Sequence, residues 1–225
     1  MTASNGGIPS EEFKNYFNSV QTPFPEPIDG KIDTLQFLEA SRGVVCLVDQ
    51  LGNVFAPVKY DMTGNIEKIN QVYNTDLERH SNLNDLILTE KSAGGILATD
   101  ALLWLRRALH MILRFFELVL EDGSSEELVG LLKTAYRETL ITYHKWPLQL
   151  LFSMLCRMCP NRSRLIQVMS LNRSHTEASV YRDLAVFTAA LRLNVDSLAA
   201  FYSEHQLECE NKVPQLVAPN KVSGW

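Results

Sequence analysis

Residues 99–121 read TDALLWLRRALHMILRFFELVLE. Arg106, His110, Arg114, Glu117 and Glu121 recur at steps of four, four, three and four, and nearly every other position is apolar. This is the period of an α-helix carrying one narrow polar stripe, which is expected to face water. The rest of its circumference is wide enough to pack on two sides, so the segment is predicted to lie in the middle of its domain.

Toward the N-terminus, helical spacing begins at Asp33 and runs through Leu35, Leu38, Val44, Val45, Leu47, Val48 and Leu51, with Gly52 placed where a helix end is expected. A second apolar segment covers 54–73, a polar stretch covers 74–84, and Leu86 to Leu97 is broken by Gly94-Gly95. Toward the C-terminus, residues 121–125 form a turn with Ser125 as the expected N-cap of a helix over 126–140. Pro147 and Pro160 punctuate the next segment, and 183–206 reads as a last long helix. No convincing period-two strand and no internal repeat is present, so the fold class is all-α. Residues 1–32, with Gly6-Gly7, Pro9, Pro23, Pro25 and Pro27, are expected to be an arm packed through Phe13, Tyr16 and Phe17. Residues 33–207 form the domain and 208–225 a tail.

Composition removes several function classes. The 225 residues are 46% hydrophobic, enough for a packed core. Lys+Arg 21 against Asp+Glu 26 leaves a formal charge of −5, so a basic footprint for nucleic acid is missing. Apolar runs look too interrupted for a spanning helix, and no secretory leader precedes them, which implies the cytosol. Cys46, Cys156, Cys159 and Cys209 are read as reduced thiols, and the sequons at Asn161 and Asn172 then carry no meaning. Cys156-Arg-Met-Cys159 has no second pair to complete a zinc site and reads as two buried thiols, so no metal is expected.

Three places could carry chemistry. Asp61, Asn65 and Lys68 stand at i, i+4 and i+7, on one helical face, and between them accept and donate the hydrogen bonds that a ligand rich in hydroxyls would need. On spacing alone an ordinary solvated face is the default reading. Trp104 shares a line with Ala108, Met111 and Phe115, which suits a core residue. His144, in Tyr143-His-Lys-Trp146-Pro147, could be a base, a ligand or a satisfied histidine.

Together these segments carry a resemblance. FAPVKYDMTGNIEK at 55–68, ALLWLRR at 101–107 and Tyr143-His144-Lys145-Trp146 closely resemble, in order and separation, the three signature segments of the glycolipid transfer protein family. The likeness runs from about Thr34 to about Gln206. It implies a two-layer helical sandwich around an apolar pocket, moving glycosphingolipids between membranes without catalysis, cofactor or metal. By resemblance, Asp61, Asn65 and Lys68 bind the first sugar and the ceramide amide, Trp104 is the platform on which the sugar stacks, and His144 hydrogen-bonds the amide carbonyl. Tyr143, Lys145 and Trp146 are expected to touch membranes transiently, the alternative for Trp146 being a core position. A monomer is expected. A sensor or adaptor using the same pocket is the competing function.

The branch that carries ceramide-1-phosphate implies an arginine pair where this chain has Trp104 and Asp100. Arg106 is assigned to the solvent stripe and Arg107 is rotated about 60° from Trp104, so neither is expected to replace that pair. Neutral monohexosyl and dihexosyl ceramides are therefore the expected cargo.

Overall fold

The structure, a computed structural model, describes residues 14–174 and 176–208. Phe13, Cys209 and the rest of the tail lie outside the described residues. Among those described, all regular secondary structure is helical. The elements are α1 (Tyr16–Ser19), α2 (Thr34–Gln50), α3 (Ala56–Tyr73), α4 (Leu83–Ser92), α5 (Leu97–Asp122), α6 (Val129–Thr139), α7 (Trp146–Cys156), α8 (Arg162–Met169) and α9 (Glu177–Glu204). Single 3-10 turns, Asn53–Phe55 and Ile141–Tyr143, precede α3 and α7.

Local chemistry fixes most boundaries. Asp33 caps α2 by accepting from the Gln36 amide at 2.7 Å, and Asn82 and Asn161 do the same for α4 and α8. Gly52 (φ 130°) ends the run after α2, and Gly123 (φ 64°) closes α5 in the left-handed conformation that a side chain resists. The N-terminus of α5 has no cap of its own. Glu90, buried on α4, reaches across instead and accepts from the amides of Ala98 and Thr99 and from the Thr99 hydroxyl, each at 2.8 Å.

Helix α5 is central, packed by α3, α6, α9 and α4, with α2 laid on α3. Seventeen of its 26 residues are buried, and the polar stripe faces water only in part: Arg106 is buried, His110, Arg114 and Glu117 are half-buried and Glu121 is exposed. Arg106 is buried, its Nη2 donating to Glu208 at 2.6 Å. Arg192 of α9 donates to Glu117 from Nη2 at 2.6 Å and from Nε at 3.1 Å, and Arg114 donates to Glu138 of α6 at 2.6 Å. The stripe is a seam of ion pairs because α9 and α6 bring the opposite charges to it.

Three further expectations are corrected. Ser125 is not an N-cap: Asp122 accepts from the amides of Ser124 and Ser125 and holds them in a turn, and α6 begins at Val129. The last helix starts at Glu177, earlier than 183, in a polar stretch where Val180 alone is apolar and fully buried. That helix is also long and apolar enough, by length and composition, to cross a membrane, contrary to the reading of the apolar runs. Its Leu184, Phe187, Leu191 and Leu198 are buried in the body of the fold. The described part of the arm is built in as well: Tyr16 is fully buried and donates its hydroxyl to the Gly43 carbonyl at 2.7 Å, while Phe17 and Phe24 pack on Phe187. Cys46, Cys156 and Cys159 are free thiols, exposed, buried and half-buried respectively.

Candidate functional site

On α3, Asp61 and Lys68 are exposed and Asn65 is buried, and Asp61 borders a cavity shared with α5. Asn65 is buried, and its Nδ2 lies 3.5 Å from Asp61 Oδ2, a long contact that leaves both groups with hydrogen-bonding capacity to spare. Asp61 is open to solvent on one side and walled by apolar groups on the other. Desolvation raises its pKa above the usual aspartate value, and the Lys68 charge works in the opposite direction.

Opposite Asp61, Trp104 projects from α5 and is 8% exposed. The turn before α7 places His144 beside it, ring centroids 6.3 Å apart and planes 24° from parallel. Asp61, Trp104 and His144 wall one cavity of about 110 Å³, between α3, α5 and α7. Asn65 and Lys68 are not part of its wall and continue the polar face of α3 beyond Asp61. An indole and an imidazole facing a carboxylate across a small gap suit a ligand with one apolar ring face and several hydroxyls.

A second cavity, about 60 Å³, adjoins it and is lined only by apolar atoms, from α2, α3, α5, α6 and α7. Val58, Met111, Ile112, Phe152 and Leu155 belong to both walls, so a largely apolar pocket that carries Asp61 and His144 and a wholly apolar one are separated by a few side chains.

Two contacts escaped the sequence. The Arg107 guanidinium lies 4.9 Å from the Trp104 ring centroid and 3.6 Å from that of Tyr143. The 60° of helical phase between Trp104 and Arg107 is spanned by the long side chain, so Arg107 is part of the site's surroundings rather than rotated clear of it. Burial lowers its pKa. Glu208 faces both arginines, 2.6 Å from Arg106 Nη2 and 3.7 Å from Arg107 Nη2, and so offsets their charge. Tyr136 of α6 is the other: its hydroxyl is 3.1 Å from His144 Nδ1. No spacing rule links positions 136 and 144, because the turn at 141–143 decides how they meet. Burial and the Arg107 charge both lower the His144 pKa, which favours the neutral imidazole.

On the rim, Trp146 is 72% exposed, which removes the core alternative for it. Leu150, Met154 and Met158 follow at steps of four and are exposed too, with Tyr143 and Lys145 alongside.

Comparison with known proteins gives a consistent result. The sequence profile of the family described as glycolipid transfer protein matches residues 32–171. The chain is 31% identical over 216 residues to mouse pleckstrin homology domain-containing family A member 8, covering 90% of this chain and 41% of that protein. The zebrafish counterpart is 29% identical over the same length. The chain thus spans about two fifths of the length of the curated relatives it matches. Among solved structures, one that describes how FAPP2 selects simple glycosphingolipids using the GLTP fold superimposes with a TM-score of 0.81 at 30% identity, covering 89% of this chain and 100% of that one. The fungal glycolipid transfer protein HET-C2 gives 0.74 at 29% identity, covering 88% and 97%. Mouse ceramide-1-phosphate transfer protein gives 0.73 at 22% identity, covering 85% and 94%, a likeness of fold alone.

Proposed function

The chain belongs to the glycolipid transfer protein family, and from that premise we propose that it carries neutral glycosphingolipids between membranes without chemical change. Asp61, Asn65 and Lys68 take the hydroxyls of the first sugar, Trp104 covers its apolar face, and His144 bonds the ceramide amide. The observation that carries this reading is the convergence of Asp61, Trp104 and His144, from three separate segments, on a cavity that adjoins a wholly apolar one. Such a carrier has a physical reason to exist: at about 0.8 kcal/mol per CH₂, exposing a sixteen-carbon chain to water costs on the order of 10 kcal/mol.

The apolar cavity, about 60 Å³, is smaller than the roughly 150 Å³ space that accepts a benzene. Loading a chain therefore requires its walls to part. Helix α7 is the least anchored wall: it buries Phe152, Leu155 and Cys156 and packs chiefly on α6, whereas α6 is itself packed on α5. Its exposed stripe from Trp146 to Met158 is the surface we assign to membrane contact, which would place the moving helix against the lipid reservoir.

Charge supports the choice of head group. Asp61 and Asp100 disfavour a phosphate, and Glu208 already faces Arg106 and Arg107. Vesicle-to-vesicle transfer of glucosylceramide and ceramide-1-phosphate by the same preparation tests the assignment. Faster movement of the neutral lipid is expected; faster movement of the phosphorylated one overturns the assignment. Binding of glucosylceramide without any transfer would favour the sensor or adaptor.

A further inference from the structure

Tyr136 belongs to none of the sequence segments that carry the family likeness, yet it touches the centre of the site. Its ring is buried on α6 and lies flat on Phe152 of α7, centroids 3.8 Å apart and planes 12° from parallel. That stack aims the hydroxyl at Nδ1 of His144, 3.1 Å away. Trp104 lies along the imidazole, and Gln149 Nε2 donates to the His144 carbonyl at 2.7 Å. Both the ring and its backbone are thus held.

We propose that Tyr136 is a positioning residue that fixes the tautomer of His144, keeping Nδ1 as acceptor so that Nε2–H is the donor offered to the cavity. The assignment rests on the head-group reading above and adds to it the direction of one hydrogen bond. A neutral imidazole has one N–H and one bare nitrogen. Burial keeps the Tyr136 phenol protonated, its pKa pushed up to about 12, so the hydroxyl has a proton to place. Nδ1 is its partner in the structure. Were Nδ1 to carry the imidazole proton, the phenol oxygen would accept and its own proton would be left without a protein acceptor. With Nδ1 bare, both groups are satisfied. Nε2 has no protein hydrogen-bond partner among the described residues, and His144 lines the cavity. The matching ligand group is an acceptor, the carbonyl of an N-acyl sphingoid base, and not its N–H.

Tyr136→Phe keeps the stack on Phe152 and removes only the hydroxyl. Long-range ¹H–¹⁵N correlation spectra of the imidazole are expected to show His144 as the Nε2–H form in the wild type and as a mixture in the variant. Affinity is then compared for glucosylceramide and for glucosylsphingosine, which has the sugar but no amide carbonyl. The variant is expected to lose roughly fivefold toward the first, the worth of one neutral hydrogen bond, and little toward the second. A wild-type His144 protonated on Nδ1, or equal losses for both lipids, overturns the assignment. The wild-type spectrum decides it even if the variant does not fold. Trp104→Ala serves as the separate control: full binding of both lipids by that variant would sink the head-group reading while leaving the tautomer measurement intact.

Discussion

At the scale of single residues, the site joins groups whose separate environments are ordinary for a helical protein. Trp104 has the burial of a core residue, but the wall it forms is that of a cavity shared with Asp61 and His144. Trp104→Ala and Asp61→Val are each expected to abolish transfer while far-ultraviolet circular dichroism stays close to wild type. A lost hydrogen bond to a charged group costs about 1.5–3 kcal/mol, or one to two decades of affinity. Transfer surviving in both variants would remove these residues from the site. Asp61 also makes a pH prediction. Its native pKa is raised by desolvation, so between the ordinary aspartate value and the raised one the folded chain binds more protons than the unfolded chain. Its contribution to stability is present below that window and is lost as pH rises through it. Asp61→Asn should therefore flatten the fall in stability across the window, read from urea unfolding at a series of pH values. An unchanged slope would mean that the carboxyl is not desolvated.

At the scale of elements, two helices depend on what lies outside them. The amides of Ala98 and Thr99 at the start of α5 are satisfied by Glu90, eight and nine residues earlier in the chain and outside any local capping rule, and the same carboxylate takes the Thr99 hydroxyl. Glu90→Ala is expected to destabilise the fold by about 2–3 kcal/mol, because buried amides lose a charged acceptor. Chemical denaturation measures it, and a loss below about 0.5 kcal/mol would show that water replaces the carboxylate. Helix α7 presents the opposite case, with Trp146, Leu150 and Met154 exposed on its outer side. Trp146→Ala is expected to weaken adsorption to vesicles well before it weakens binding of a soluble short-chain glycolipid, since the indole is 72% exposed and distant in role from the cavity. Equal losses in the two assays would place Trp146 in the binding site instead.

At the scale of the whole molecule, the long helices α5 and α9 form a rigid spine, joined by the Glu117–Arg192 fork and by Arg162. That buried arginine donates to the Val119 carbonyl at 2.9 Å and to the Tyr181 hydroxyl at 3.2 Å, tying the end of α5 to α8 and α9. The cavity side is lighter, and its walls have to part for a chain to enter. Amide hydrogen exchange should accordingly be faster in α7 than in α5 or α9, and glucosylceramide should slow it most in α7. Exchange in α7 as slow as in α5, with no response to lipid, would contradict a mobile wall.

The sequence by itself determined the helical class, the centrality of α5, the turn that follows it, the glycine after α2 and the face shared by Asp61, Asn65 and Lys68. Each of these rests on periodicity or on contacts within one or two turns, which are written in adjacent residues. It could not decide that Arg106 is buried and that ion pairs cover part of the polar stripe of α5, because the covering charges come from Arg192, Glu138 and Glu208, far along the chain. Nor could it choose between core and site for Trp104, since both demand an apolar neighbour at helical spacing. Only the tertiary structure brought Tyr136 and Arg107 to His144 and Trp104, where a turn and a flexible side chain set the distance rather than any repeat. Local geometry is encoded locally, whereas a cavity exists only where helices distant in sequence fail to fill the space between them.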